Sequence, residues 1–222
     1  MALTLEECQD ENFPLAALLE SVFAGRLARA VGKALISGSG NATPTGLLTA
    51  AIASGASPIV ANGSSANTGG TETGSTSVGT ADIGRLYAAL DPAYRPGAAF
   101  YMNDSTLQYL AQLTDKSGRP VVSFSETFTD LSASRPFIMG RPCAICPSMP
   151  SMASGYNSVA FANPKYIIQR RVPSSMFCRR YTRAVGLVTF GLIGFEMWMR
   201  VDSNLVAPNP SYLPAQVLQN HS

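Results

Sequence analysis

The feature that most constrains the fold is a long run of apolar residues at helical spacing near the start of the chain. From Leu15 to Leu35 the apolar side chains recur every three or four residues, which predicts an amphipathic helix. Pro14 suits the first turn and Gly38 follows the last one, so we expect the helix to end at Ser37. At 1.5 Å per residue it is about 36 Å long, which is long for a small globular protein.

The rest of the chain combines helix signals with strand signals. A second helix follows Thr80 as its cap, and a third is capped by Asn103 or Asp104 and stops before Gly118. The predicted strands are 98–102, 137–139, 158–162, 166–172, 177–181 and a long extended stretch over 186–201. Pro173-Ser174-Ser175 separates two of these strands. The order predicts a mixed α+β fold, and the tail from Asn204 is rich in Pro and Asn.

Each of two glycine-rich segments could form either a loop or a binding site. Residues 50–80 are dominated by Gly, Ser, Thr, Ala and Asn, which favours a long surface loop, with ordering against neighbouring subunits as the alternative. Gly38-Ser39-Gly40 with Pro44-Thr45-Gly46 follows a helix, whereas a phosphate-binding loop precedes one and ends in Gly-Lys-Ser/Thr. We therefore expect a tight turn from helix to strand.

The charge content indicates which partners the surface suits. Charged residues make up 14% of the 222 residues, arginine outnumbers lysine thirteen to three, and the formal net charge is +2. So few charges suggest a surface partly covered by partners, and arginine suits packed interfaces. The N-terminus lacks a signal-peptide pattern, and the apolar stretch Ala184–Met199 is short for a bilayer and contains Glu196. These features predict a soluble cytosolic protein.

Residues for chemistry are scarce. The one histidine, His221, is the penultimate residue, which disfavours a Ser-His-Asp or Cys-His unit and a catalytic zinc site. Cys143-Ala-Ile-Cys146 has zinc or redox spacing, but Cys8 and Cys178 are too scattered to complete a site. We expect buried, inert thiols. The sequence therefore predicts no catalytic, cofactor-binding or metal-binding residue, no cofactor, and no enzyme activity.

The order of several motifs resembles that of the major capsid proteins of tailed bacteriophages, the Hong Kong 97-like family. No single motif is specific, but six of them follow in the family's order across nearly the whole chain. They are Ser37–Gly40 with Pro44–Leu48, Leu86–Arg95 with Phe100–Asp104, Leu107–Pro120, Ile138–Pro142 with Met149-Pro150, Phe161–Arg171 and Arg200–Asp202.

The resemblance implies an α+β capsid fold with two lobes. Residues 1–48, with the long helix, and residues 166–203, with long strands, would form a peripheral lobe. Residues 49–165 would form a mixed α/β axial lobe, to which residues 204–222 would return.

The implied function is that of a structural shell protein of a phage or prophage. Copies would self-assemble into pentamers and hexamers of an icosahedral head that encloses DNA. The partners would be other copies or full-length capsid protein, and packaged double-stranded DNA contacted without sequence specificity, with no membrane or small-molecule partner. The implied location is the virion, and before assembly the cytoplasm of the bacterial host.

The chain also departs from the family pattern. Family members carry an N-terminal arm and an extended hairpin, the E-loop, before the long helix, but only about a dozen residues precede it here. We therefore expect no arm, no E-loop and no lysine cross-link, and a chain that alone is monomeric or weakly associating. Two smaller changes are Phe161-Ala-Asn163 in place of Phe-Gly-Asp and Ser203 in place of the glycine after Asp202.

Three other functions stay open beside a virion coat. The missing arm and hairpin would suit a truncated, prophage-derived coat subunit that interferes with the assembly of phage capsids. An encapsulin-like nanocompartment shell has the same fold and encloses a cargo enzyme instead of DNA. A small enzyme using Cys143 or Cys146 is the most distant alternative.

Overall fold

A computed structural model describes residues 2–4, 15–53, 58–61, 78–114, 118–125, 135–181, 192–207 and 212–221. Within these ranges the helices are α1 (Leu15–Ser37), α2 (Leu47–Ala53), α3 (Thr80–Ala89) and α4 (Asp104–Gln112). The strands are β1 (Ala2–Thr4), β2 (Ile59–Val60), β3 (Ala99–Met102), β4 (Val122–Ser125), β5 (Arg135–Ile138), β6 (Arg141–Ile145), β7 (Asn157–Ala162), β8 (Ile167–Tyr181), β9 (Leu192–Leu205) and β10 (Ala215–Gln219). The α+β class is thus confirmed.

The chain divides into two compact units. Unit 1 comprises residues 1–32 and 169–202, and unit 2 comprises residues 33–168 and 203–222. Each unit is discontinuous in sequence, because the chain leaves unit 1 along α1 and returns to it along β8. The lobe boundaries expected from the family resemblance stay a prediction.

Unit 1 contains most of α1 and a three-stranded sheet in the order β1-β9-β8. The predicted long helix is confirmed to within one residue at its start and ends at Ser37 as expected. The expectation of two strands separated by Pro173 is wrong, because β8 runs unbroken from Ile167 to Tyr181. β8 lies at the edge of its sheet, and an edge strand tolerates a proline because only one of its sides carries ladder hydrogen bonds.

Unit 2 is built on a seven-stranded mixed sheet in the order β2-β10-β7-β3-β6-β5-β4. β7 pairs antiparallel with both neighbours, so that Ala160 lies opposite Val217 on β10 and Phe161 lies opposite Phe100 on β3. β3 pairs parallel with β6, and β10 pairs parallel with β2. The C-terminal tail, which gave no strand signal, thus supplies a strand inside the sheet.

Both faces of this sheet are covered, which explains why five of the six residues of β7 are buried. Val159 and Phe161 face α3 and α4, where the rings of Phe100 and Phe161 stack with centroids 4.4 Å apart. Ala160 and Ala162 point the other way and pack against α2. Because side chains alternate along a strand, the large residues of β7 pack against α3 and α4, and its small residues pack against α2.

Three further expectations about local structure are corrected. The Gly38–Gly46 turn leads from α1 to a second helix, α2, rather than to a strand; Ser39 and Thr45 form a single bridge. Part of the supposed 50–80 loop is regular, since α2 extends to Ala53 and β2 occupies Ile59–Val60. The cap of α3 is Gly79 rather than Thr80. The remaining segments, 54–57 and 62–77, lie outside the described residues.

The β5–β6 hairpin carries backbone strain at its tip. Met139 and Gly140 both have positive φ, 50° and 73°, as the central residues of a type I′ turn require. Methionine is a poor choice there because its Cβ meets the backbone in the left-handed region. We expect Met139→Asn to raise the free energy of unfolding by about 0.5–1 kcal/mol, measured by urea denaturation. Met139→Ala keeps the Cβ, so we expect no rise in the free energy of unfolding, and this variant serves as the control.

Candidate functional site

The cysteine pair lies on and just beyond β6, between Pro142 and Pro147. Cys143 packs on the face of the sheet that α3 and α4 cover, with its Sγ 4.0 Å from the Sδ of Met102. Cys146 packs against the opposite, α2-facing layer. An odd spacing along an extended chain places two side chains on opposite faces, so the two thiols do not share one site. Both are free thiols.

The environment of Cys143 suppresses its reactivity. Burial, and secondarily the charge of the nearby Cys146 thiolate, raise the pKa of Cys143 to about 12, and burial raises the pKa of Cys146 as well. Since the thiolate is the nucleophile, we expect Cys143 to resist iodoacetamide at pH 8 in the folded protein and to react fully in urea. Peptide mass spectrometry reads the result; rapid labelling of the folded protein would contradict it.

The raised pKa of Cys143 also makes the stability of the folded protein depend on pH. Because the folded pKa of Cys143 lies above its unfolded value, the buried neutral thiol favours folding at pH values below the unfolded pKa. Above that pH the unfolded chain gains a thiolate that the folded chain disfavours, so this contribution declines as the pH rises toward 12.

Of the other residues considered for chemistry, the structure describes two. His221 is exposed, Cys178 lies on β8, and Cys8 lies outside the described residues. Across the ranges given above, no three His, Cys, Asp or Glu side chains cluster as metal ligands. No helix in the same ranges has the length and apolarity to cross a membrane.

The glycine-rich turn after α1 is a crossing of two backbone segments. A Cβ on Gly38 would lie 2.0 Å from the carbonyl oxygen of Pro44, and one on Gly46 would lie 2.5 Å from the amide nitrogen of Gly38. The Gly46 amide donates to the Gly38 carbonyl at 2.9 Å. Ser203 closes the crossing, since its Oγ donates to the Thr45 carbonyl at 2.8 Å and its own carbonyl accepts from the Thr45 amide at 3.1 Å. The segment is structural and does not form a phosphate loop.

Asn163, which follows β7, joins three segments of unit 2. Its Nδ2 donates to the carbonyl oxygens of Tyr94 at 2.9 Å and Pro96 at 2.8 Å. Its Oδ1 accepts from the Lys165 amide at 3.1 Å, and its amide donates to the Pro214 carbonyl at 3.0 Å. The side chain is 5% exposed. The family motif drew attention to this position, but the sequence alone does not reveal the hydrogen-bond network.

Two more side chains fix the turns around the sheet. Asn103 caps α4 by accepting from the Ser105 amide, and its Nδ2 donates to the Met149 carbonyl at 2.9 Å. Arg95 ends α3 by donating to the carbonyls of Leu90 at 2.9 Å and Ala88 at 3.0 Å. Both residues lie in motifs that carried the family resemblance, so the motifs mark caps and turns rather than a catalytic site.

What remains as a functional surface is the exterior of the two units. Unit 2 exposes large apolar side chains at Ile52, Val60, Phe124, Met139, Ile145, Tyr156, Ile168, Val206 and Tyr212. On unit 1 the exposed face of β9 carries Glu196, Trp198, Arg200 and Asp202, with the Arg200 guanidinium 6.0 Å from the centre of the Trp198 ring. Aromatic and arginine side chains on a surface are typical of protein–protein contacts.

A shallow groove of about 290 Å³ lies on the sheet of unit 1. It is lined by Arg170, Val172, Arg200, Val201 and Asp202. The described residues that line it have mixed charges and include no nucleophile or histidine, which is typical of a contact surface.

Solved structures that superpose on the chain include a capsid and an encapsulin complex. The capsid of a native GTA particle superposes with a TM-score of 0.71 at 23% identity, covering 100% of this chain and 71% of that one. A structure from Mycobacterium phage Bobi gives 0.60 at 15% identity, covering 99% and 69%. The holo-SrpI encapsulin complex from Synechococcus elongatus PCC 7942 gives 0.61 at 11% identity, covering 100% and 71%. The fold is therefore the Hong Kong 97-like capsid fold.

Sequence comparison points to the same family. A search of curated proteins found no significant match. The family model described as the phage capsid family, however, matches residues 1–212, which include the long helix, all of unit 1, most of unit 2 and nine of the ten described strands. The chain therefore belongs to the phage capsid family.

Proposed function

We propose that this chain is the repeating shell subunit of a phage or prophage head and forms rings of five and six copies that enclose double-stranded DNA. The observation that carries the proposal is the family match over residues 1–212, together with a capsid fold that covers the whole chain. As a capsid-family member the protein is structural, and we propose that it has no catalytic role.

The surface chemistry supports assembly from many modest contacts. Exposed apolar side chains are spread over unit 2, and the β9 face of unit 1 combines aromatic and charged residues. In a closed ring each subunit presents two different faces to its neighbours. The last contact of a ring forms at a high effective concentration, so weak single contacts give a stable shell.

We propose that the two units occupy different positions in the shell. We assign the peripheral lobe to the segments of unit 1, with α1 and the long strands β8 and β9. The axial lobe, which would converge on the symmetry axes, is assigned to the seven-stranded sheet of unit 2. Assembly would take place in the host cytoplasm, and the assembled protein would belong to the virion.

Particle formation tests the proposal. The purified chain is concentrated, sized by light scattering after gel filtration, and imaged by negative stain; rings or closed shells are the expected result. Shells from the expressing cells are then treated with DNase, and protected DNA is expected, which vanishes when the shells are first disrupted by heat. Because the chain alone is expected to associate weakly, a species that stays at 23.4 kDa at every concentration means that assembly needs a full-length capsid partner. Failure to enter shells together with that partner contradicts the proposal.

A nanocompartment is the second candidate because an encapsulin superposes over the whole chain with a TM-score of 0.61. The contents of the particles from this experiment distinguish a phage head from a nanocompartment. Protected DNA supports a phage head, whereas a co-purifying cargo protein without DNA supports a compartment. An assembly-interfering subunit would instead lower the yield of shells when mixed with a full-length capsid protein.

A further inference from the structure

Helix α1 carries a row of three basic side chains on one face. Arg26, Arg29 and Lys33 are all exposed, and at 100° per residue they fall within an arc of roughly 60°. The row spans about 10 Å along the helix axis. We call Arg26, Arg29 and Lys33 the basic row.

No acidic group in the described helix offsets this row. Glu20 is the acidic residue between Leu15 and Ser37, and it lies roughly 150° around the helix from the centre of the row. Within the part of the chain that the structure describes, none of the three basic side chains takes part in an ion pair. Three cations therefore stand side by side on one helix, and no acidic group among the described residues pairs with them.

Two other described surfaces with arginine are of mixed sign. The β9 face alternates Glu196, Arg200 and Asp202, and Asp202 also lines the groove beside Arg170. Arg85 is paired with Asp82. A mixed surface suits another protein surface of mixed charge, whereas a row of one sign suits a partner with a row of the opposite sign.

Resting on the proposed function, we infer that the basic row contacts the phosphate backbone of the packaged duplex DNA. Each strand of duplex DNA carries one negative charge per 3.4 Å of axis, so the row matches the length of about three phosphates along one strand. Arginine forks and a lysine ammonium bind phosphate without reading bases. The row contains no aromatic residue on which an unpaired base would stack, which favours duplex over single-stranded DNA.

The test measures how salt weakens DNA binding. The unassembled chain is titrated onto a labelled mixed-sequence DNA duplex at several NaCl concentrations, with fluorescence anisotropy as the readout. The variant R26Q/R29Q/K33Q is expected to reduce the slope of log affinity against log salt by up to about 2.7, because each phosphate contact contributes about 0.9. The variant R26K/R29K keeps the charges and is expected to keep the slope.

A matched control removes three cations that lie outside α1. R119Q/R141Q/K165Q changes the net charge by the same amount and is expected to leave most of the slope in place. Equal losses in both triple variants overturn the inference, because net charge alone would then explain binding. An unchanged slope in the α1 variant also overturns it, as does a lost ability to assemble with unchanged DNA affinity, which would make the row a protein contact.

Failure of this inference is distinct from failure of the proposed function. Shell formation and DNase protection are measured on the wild-type chain, and the salt slope is measured on unassembled subunits. Shells that protect DNA while the α1 variant binds duplex normally leave the shell function standing and remove the basic row as the contact.

Discussion

Gly38→Ala and Gly46→Ala are each expected to destabilise unit 2 by about 3 kcal/mol or more. At Gly38 the new methyl group would lie 2.0 Å from the Pro44 carbonyl oxygen and 2.4 Å from that of Ala34. At Gly46 it would lie 2.6 Å from the Ile36 carbonyl oxygen. All the opposing atoms belong to the backbone, so no side chain can rotate away. The crossing must open, and α2 then loses its position against the sheet.

Thermal unfolding followed by circular dichroism measures the effect. Gly84→Ala in α3 and Gly25→Ala in α1 are matched controls, because a methyl group at either position meets open space. Alanine favours a helix over glycine by about 1 kcal/mol, so both controls are expected to unfold at a higher temperature than the wild type. Wild-type stability of the Gly46→Ala protein would show that the crossing relaxes at little cost.

The second large effect is expected from Asn163→Asp. The carboxylate would face the carbonyl oxygens of Tyr94 and Pro96 with no hydrogen to donate, in a position that is 5% exposed. Two buried acceptors lose their donor and an unpaired charge is buried, which is expected to lower the free energy of unfolding by about 3 kcal/mol or more at pH 7.

The pH dependence of that loss identifies its cause. The two carbonyls and the burial raise the folded pKa of the introduced carboxyl above its unfolded value, so the protonated form is favoured in the folded state. The difference from wild type is therefore expected to shrink as the pH falls from 7 toward 4, since a protonated carboxyl donates one hydrogen bond again. Urea denaturation at several pH values measures it.

Asn204→Asp is the matched control for this substitution. Asn204 is exposed, and its Oδ1 accepts from the Leu205 amide at 2.9 Å, a role that a carboxylate oxygen fills equally well. It is expected to unfold as the wild type does at every pH. A loss at Asn163→Asp that does not vary with pH would point to packing rather than to the amide hydrogens.

The sequence allowed the prediction of elements whose signals are local. The apolar spacing of α1 and the glycine after Ser37 defined that helix to within one residue, and Asn103 as a cap was among the expected alternatives. The expectation that the cysteine motif forms no catalytic or metal site stays a prediction; the structure places Cys143 and Cys146 in different layers of unit 2.

The misjudged elements depend on neighbours distant in sequence. β10 lies in a tail rich in Pro and Asn and is a strand because β2 and β7 flank it. β8 continues through Pro173 because β8 lies at the edge of its sheet, where a residue without an amide hydrogen need not interrupt the hydrogen bonds between strands. The hydrogen bonds of Asn163 reach back almost seventy residues, so no local pattern reports them.

The late position of β10 in the sequence also determines when the sheet of unit 2 can be completed during synthesis on the ribosome. β7 is complete at Ala162, but its partner strand begins only at Ala215, after the chain has been through β8 and β9. At 5–20 residues per second, synthesis of the intervening chain takes about 3–10 s. During that interval one side of β7 is an open edge, and neighbouring ribosomes on one message hold other open edges close by. Exchange of β10 between two nascent chains is the misassembly that this topology makes available.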